Sequence, residues 1–520
     1  MGSFQIVYDD FSGGQYMGNK STNLPKNTFD GFNAMSNAYG QLMAGGTPIV
    51  AYTQTAVASS TKAQIMDQWL LGENLYAFCQ WYASSSWTAK MVSFNVANGT
   101  VFPSPTVTTT NLTGQLGGKI AYDNASTKFF YVRVDGANAG YIRSVTTAGV
   151  DASVSTALGG TGITDLVSYG YRTVAWGSTS KRVYYSNTDL TTWSTSQYYE
   201  FTGEVLNVLA RSNDLLVVCT TGVFSLVGVL GSSVTIQAIL PGANMPEGMR
   251  DAIIVGRNAI FADNSLSGNL DGRVHEMVGS SIRPIATLGF AQIQTVGAIG
   301  GYQQVRCFNT QDSGVVVLLK DGLSMYVKKQ DGTWAYFSNL DFAVNISLER
   351  SEQNQMHVAR PGVSSQNEYF VAAYVNKSDS YNIAFIRTIY NVTDTTYGDH
   401  DFRTTTTASG ETLEPEGFAD LPEYWHQKPF TVKHVIVEWT GRTNANLSVY
   451  VKPSGVVDTS AANVDPQEQT YLNTTLDPGG SGTFVTERVY FDTALKGYGA
   501  QVKLWLTDCR VKRVILMCED

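Results

Sequence analysis

The sequence predicts an all-β chain: an irregular β-propeller of about seven blades over residues 50–410, followed by a C-terminal antiparallel β-sandwich over 429–520. Three observations lead there. Charged residues are only 15% of the 520, while Thr, Ser, Asn, Gly and Tyr abound, a composition that favours strands over helices. From about residue 75 to 395 one rhythm recurs: an apolar run, a polar loop, a second apolar run and a Gly or Asp turn. Beyond residue 428 the texture changes to short runs with period-two alternation.

The first element, residues 1–49, reads as an extended arm. It sets Phe11, Tyr16, Phe29, Phe32 and Tyr39 among glycines and asparagines, too aromatic for a disordered linker and too irregular for a sheet. Such a segment takes its order from a neighbouring surface. These five aromatics are therefore the candidate interface residues, with the arm either lying across an adjacent subunit or closing the propeller. Next, "TKAQIMDQWLLGENL" (61–75) has helix-like spacing that Gly72 would end.

The repeated runs begin at residues 75, 128, 172, 214, 258, 314 and 368, about 40 to 56 residues apart, which is the period of a four-stranded propeller blade. A blade shared between the chain ends would make the number six or eight. Turn chemistry fits the same reading: Asp331-Gly332 separates two apolar runs, and Asp271-Gly272 precedes a third, because Gly accepts the positive φ of tight hairpin turns. Residues 411–428 are acidic and proline-bearing, with Pro415 and Pro422 and then Pro429 just beyond, and read as a linker. In the region that follows, Val435, Val437 and Trp439 alternate with His434, Ile436 and Glu438, and the last apolar run stops just short of the C-terminus, tying the tail into a sheet.

The residues that could carry chemistry have stronger structural readings. The five cysteines, Cys79, Cys219, Cys307, Cys509 and Cys518, are far apart and mostly inside apolar runs, so they read as buried reduced thiols. His275, His357, His400, His426 and His434 are too scattered for a metal centre or a triad. "GDHDF" around Asp399, His400 and Asp401 reads as a solvated acidic loop, and "DNSLSGNLDG" lacks the closing bidentate Glu of a calcium loop. "SNTDLTTWS" (186–194) partly resembles the Asp box of sialidase-type propellers, a turn-shaping motif, but Leu190 stands where that motif wants Gly. No P-loop, dinucleotide fingerprint or nucleophile elbow appears, so neither an enzyme nor a cofactor is expected. A net charge of −9 argues against a grip on nucleic acid. No membrane helix and no export signal is read, and folding in a reducing cytoplasm is the expectation.

Several stretches resemble the tail nozzle and tail hub (stabilisation) proteins of short-tailed bacteriophages. They are "FSGGQ", "LNVLARSNDLLVVCTTGVFSLVG", "KKQDGTWAYF" and, above all, "VKHVIVEWTG", "LSVYVKPSG" and "RVYFDTALKGYGAQVKLWLTDCRVKRVILMC" near the end. The resemblance implies a structural virion protein assembled in the host cytoplasm. It also implies a hexameric ring of copies below the connector and adaptor, bearing fibres or a needle, with DNA passing down the axis without specific binding, and the net charge of −9 suits a lumen that repels phosphates. The family has no catalytic residues to carry over. The alternative is a host-glycan-binding propeller of a tail tip or baseplate, and a glycosidase is a third reading.

Overall fold

In the computed structural model the described residues are 2–11, 14–15, 24, 26–32, 34–36, 40–44, 49–53, 62–72, 74–95, 107–242, 244–245, 249, 252–255, 257–263, 273–284, 306–310, 314–318, 325–328, 334–337, 348–349, 357–359, 368–376, 382–391, 416–455 and 484–520. They form β-strands and one 3-10 turn, so the all-β expectation holds for them. Six short strands open the chain: β1 (Ser3–Tyr8), β2 (Gly14–Gln15), β3 (Thr28–Phe32), β4 (Ala34–Ser36), β5 (Leu42–Ala44) and β6 (Ile49–Thr53).

Five four-stranded antiparallel sheets follow, each built from consecutive strands. The first holds β7 (Lys62–Leu71), β8 (Asn74–Ala83), β9 (Ser86–Asn95) and β10 (Val107–Leu112). The second holds β11 (Ala121–Asp123), β12 (Lys128–Arg133), β13 (Tyr141–Thr146) and β14 (Asp151–Ser155). In the third are β15 (Asp165–Tyr169), β16 (Arg172–Trp176), β17 (Arg182–Tyr185) and β18 (Tyr198–Glu200). The fourth comprises β19 (Val205–Ala210), β20 (Asp214–Cys219), β21 (Gly222–Val229) and β22 (Ser233–Pro241). The fifth comprises β23 (Ile253–Val255), β24 (Asn258–Asp263), β25 (Arg273–Val278) and β26 (Ser281–Pro284).

A sixth antiparallel set is β27 (Arg306–Thr310), β28 (Gly314–Leu318), β29 (Met325–Lys328) and β30 (Trp334–Phe337). In the seventh, β31 (Leu348–Glu349) and β32 (His357–Ala359) both pair with β33 (Glu368–Asn376), which pairs with β34 (Asn382–Asn391). The outer strand of this last sheet is β6, brought from near the N-terminus, with Ala384 opposite Tyr52. Each of the seven runs marked in the sequence lands on or next to the second strand of its own sheet.

The stacking of these sheets follows from side-chain alternation. β20 is buried along its whole length because its two faces serve two neighbours. Leu215, Val217 and Cys219 pack with Val174 and Trp176 of the third sheet, whereas Leu216 and Val218 pack with Ala259 and Phe261 of the fifth. β12 repeats the device, with Phe129 and Tyr131 joining the first sheet's Tyr76 and Phe78, and Phe130 and Val132 joining Leu166 and Ala175. An apolar run without polar alternation is what a strand covered on both faces requires. The sequence of contacts returns to its start, since β33 of the last sheet lies against β7 of the first.

The segment expected to be helical is β7, and the reason for the difference is local. Its pairing with β8 shifts register between Ile65 and Asp67, so a bulge at Met66 adds one residue and breaks the period-two pattern. Gly72, at φ +56, makes the turn into β8.

The C-terminal region is one curled, half-barrel sheet. β35 (Glu416–Asp420) pairs with β37 (Val485–Glu519), and β36 (Tyr424–Ser454) pairs with β37 along two separate stretches, so Val435 faces both Val489 and Leu516. The runs read as separate sandwich strands are thus parts of two long bent ones. β1 adds to the end of β37, with Ser3 opposite Glu519, so the tail is tied in as expected. β3 pairs with β35, and β4 and β5 extend the sheet along Val511. Two assigned segments therefore differ from expectation: the arm is largely part of this sheet, and the stretch read as linker contains β35. Both changes bury Ile6, Phe29, Ala419 and Leu421 in the core beside Trp439 and Leu504. β2 bridges the two regions by pairing with β3 and β30.

Candidate functional site

The arm aromatics divide by placement. Phe11 and Phe29 are fully buried in the core of the curled sheet, and the Phe11 amide donates to the Gly40 carbonyl at 2.9 Å. The arm was expected either to lie across a neighbouring subunit or to close the propeller; for Phe11 and Phe29 it is the chain's own curled sheet that takes them, covering its inner face. Phe32 lies on β3 opposite Phe418. Tyr16 and Tyr39 lie outside the described residues. Beside this cluster Tyr8 donates to the Pro422 carbonyl at 2.7 Å, and burial, then the neighbouring Cys518 and Glu423, pushes its phenol far up.

Buried and half-buried polar side chains sit where sheets meet, and they bond to backbone. Asp67 accepts from the Ile120 amide at 2.8 Å and Gln80 from the Leu116 amide at 3.0 Å, joining the first sheet to the segment that enters the second. Asp165 accepts from the Lys119 amide at 2.8 Å. Asn207 donates to the carbonyls of Met249 and Ala252, both at 3.0 Å, at the entry to the fifth sheet. Gln68 closes the series: its Nε2 donates to the Ala373 carbonyl and its Oε1 accepts from the Ala373 amide, both at 2.9 Å. Sequence reasoning missed all of these. Their signal was a polar residue inside an otherwise apolar inner strand.

Charged groups farther out also serve packing. Asp151 accepts from the Thr113 hydroxyl at 2.6 Å, Tyr131 at 2.8 Å and Arg143 at 3.1 Å, joining the exit of the first sheet to three strands of the second. Burial pushes this carboxyl up, but the bonds from Thr113, Arg143 and Tyr131 outweigh burial and hold it below the usual range. Asp214 is likewise lowered, by Arg211 and Ser225 against burial.

The Asp-box-like hairpin joins β17 to β18. Asp189 accepts from the Thr191 and Thr192 amides at 3.0 and 2.9 Å, and the Thr192 hydroxyl and amide hold its carboxyl below the usual range. Ser186 is buried and accepts from the Thr173 amide at 3.0 Å, while Trp193 packs into the core between the second and third sheets. Every one of these bonds shapes the turn. Leu190 adopts φ +61 in place of glycine, held by its packing on the same core.

The groups usually recruited for catalysis are otherwise engaged. Burial pushes the thiols of Cys219 and Cys518 up to about 12 and that of Cys79 farther still, so all three are protonated and poor nucleophiles near neutrality. His275 is buried and stacked on Phe261 at 5.4 Å. Among the described residues no three His, Cys, Asp or Glu side chains gather as a metal site, and no helix is long and apolar enough to cross a membrane. The "GDHDF" loop lies outside the described residues, as does "DNSLSGNLDG" apart from Asp263 at the end of β24.

What the surface offers is aromatic. On the outer face of the curled sheet Trp505 stacks on Phe418 at 5.9 Å, with the Lys503 ammonium 4.1 Å from the Phe418 ring centre. Trp425 is 51% exposed and Tyr490 62%, the latter beside His434 at 5.3 Å. The period of "QVKLWL" foretells this, since Lys503 and Trp505 alternate with buried Val502, Leu504 and Leu506.

No protein-family model matches the chain, and no curated protein matches it. Among solved structures it is similar to PorZ, a bacterial surface component of the type-IX secretion system of Porphyromonas gingivalis. The identity is 13% and the TM-score 0.36, over 75% of this chain and 45% of PorZ, so the chain spans less than half of that protein's length. It is also similar to the β-propeller domain of the Trilobed protease from Pyrococcus furiosus, at 9% identity and TM-score 0.38, over 66% of this chain and 98% of that one. A third likeness is to the acylaminoacyl peptidase of Pyrococcus horikoshii, at 8% identity and TM-score 0.37, over 71% and 59%. At such TM-scores none of them carries weight for this chain's fold or function.

Proposed function

We propose that the seven sheets from β7 to β34, with β6 as the closing strand, are the blades of one β-propeller, and that the curled C-terminal sheet is a sandwich-like module fixed beside it. On this reading the chain is a structural virion protein. It acts as a tail nozzle or hub, a ring of copies at the end of the connector, through which DNA passes and to which fibres or a needle attach.

The observation that supports this best is how the chain spends its polar groups. Gln68 fixes the first sheet to the backbone of the last, Asp67, Asp165 and Asn207 each fix a sheet to the backbone of a segment that enters another, and β2 ties the sixth sheet to the curled one. Such a frame resists shear between its parts, which a conduit under load needs. The net charge of −9 suits a passage that must not hold phosphates. The test is mass spectrometry of purified particles together with images of the isolated protein. The protein in particles and ring-shaped assemblies are expected, whereas its presence in infected-cell lysate but not in particles would refute the reading.

A second reading, a host-glycan-binding module, is favoured by the exposed Trp425, Trp505 and Tyr490 on one sheet. Binding to a glycan array that is lost in Trp425→Ala, with no incorporation into particles, would replace the first reading with this one.

A further inference from the structure

The outermost strands of the five complete sheets are not alike. β14 begins with Asp151, β18 ends with Glu200 and β26 carries Arg283, while β10 is short and mostly threonine and asparagine. β22 is different: nine residues, SVTIQAILP, without a charge, inside a segment (215–246) that has none at all. Its middle residues, Thr235 to Ala238, are exposed, and so are the flanking Val227 and Val229 of β21. Ile236 is 44% exposed and Val229 62%. Among the described residues nothing pairs with the outer edge of β22. Native sheets usually blunt such edges with lysine, an inward charge, a bulge or a covering loop; here a bulge at Ile239 and Pro241 limit the far end, and Ser233 to Ala238 keep a regular edge.

We infer that the free edge of β22 is a contact surface for a second copy of this chain, which pairs its own β22 antiparallel about a two-fold axis at Ile236. Charge selects this occupant. Two bodies of charge −9 repel over most of their surfaces, and the segment from 215 to 246 is a long window where they approach without like charges meeting. Pairing about a two-fold axis near the strand centre sets a charge close to that axis beside its duplicate, a cost that β26 with Arg283 and the three-residue β18 with Glu200 would incur and β22 does not. In the pair, Ile236 faces Ile236 of the partner subunit and Thr235 faces Gln237 of the partner subunit, so β-branched and neutral polar groups meet their kind. The exposed valines of β21 flank the junction and extend the apolar area.

The inference is independent of the virion reading. It is tested by sedimentation equilibrium of the full chain, wild type against Ile236→Lys and Thr235→Lys, with circular dichroism as the control for folding. Both positions are exposed, so both variants keep the wild-type spectrum. A wild-type dimer whose dissociation constant rises about tenfold or more in each variant is expected, since each sets two ammonium groups across the axis. Oxidised Ile236→Cys is expected to give a disulfide-linked dimer. A wild-type protein that stays monomeric at tens of micromolar would overturn the inference. So would assemblies that persist unchanged in Ile236→Lys, and if those assemblies are rings the virion reading stands without it.

Discussion

Gln68 gives its whole side-chain amide to one residue of the last sheet, copying the two-bond exchange of a strand pair without being part of that sheet. Replacement by leucine keeps the bulk and leaves a buried amide and a buried carbonyl of Ala373 unanswered. Such groups cost about 1–3 kcal/mol each. Gln68→Leu is therefore expected to lower the free energy of opening at the β7–β33 junction by about 2–6 kcal/mol. Native-state hydrogen exchange reads this directly, because the Ala373 amide loses protection while the β20 amides keep theirs. Equal protection of Ala373 in both proteins would show that the clip contributes nothing.

Asp151 makes a pH-dependent contribution. Its folded pKa lies below the unfolded value, so its stabilisation is fully present above the ordinary aspartate value of about 3.9 and is lost as pH falls through the lowered one. Asp151→Asn is expected to destabilise by about 1.5–3 kcal/mol at neutral pH, the range for hydrogen bonds to charged groups. Urea unfolding at pH 7 and pH 3 checks it, with the difference shrinking at the lower pH. A gap that is the same at both would assign the effect to shape instead of charge. Such residues were hard to see in advance: an aspartate at the start of a short polar strand has no mark that it receives Thr113, Tyr131 and Arg143 together. Leu190 misled in the other direction, because the hairpin forms with leucine at positive φ where glycine was wanted.

At the scale of elements, the second strand of each sheet was the legible one. Where their side chains are described, as in β8, β12, β16 and β20, these strands are mostly buried on both faces, so they are largely apolar and stand out even though the repeats share little sequence. Outer strands such as β14 and β18 are short and only half-buried, and announce themselves poorly. β7 was misread because its bulge and its buried Asp67 and Gln68 disturb the alternation. β1, β3 and β5 were invisible for a different reason: their partners in β35 and β37 lie at the far end of the chain, and no local pattern encodes that pairing. Removing residues 1–46 strips β1 to β5 from the curled sheet and takes Ile6, Tyr8, Phe11, Phe29 and Leu42 out of its core. The truncated chain is expected to lose near-ultraviolet circular dichroism from the C-terminal aromatics and to aggregate. A truncated chain with an intact signal would mean that the arm is an accessory and not part of that fold.

For the whole molecule, the sequence rhythm carried the repeat and the change of texture carried the C-terminal region, but not how the two ends meet. The ends meet twice. β6 completes the last sheet of the series, and β1 completes the end of β37, so segments near both termini are held by distant partners. A chain joined in this way has no free first or last sheet from which unfolding can begin, which is what the proposed role as a load-bearing ring component asks for. The central claim is that one chain closes on itself at the junction of β6 and β34.

Its most direct measurement is a cysteine pair at the register partners Tyr52 and Ala384. Opposed strand residues bring Cβ atoms close to disulfide range, and the described native thiols are buried. Mixed from normal and nitrogen-15-labelled protein unfolded and refolded together, the Tyr52→Cys/Ala384→Cys chain is oxidised, digested and weighed. Closure within one chain predicts cross-linked peptides of a single label. Peptides joining both labels would mean that β6 completes a neighbour's sheet, and the absence of any cross-link would mean that the ring is open.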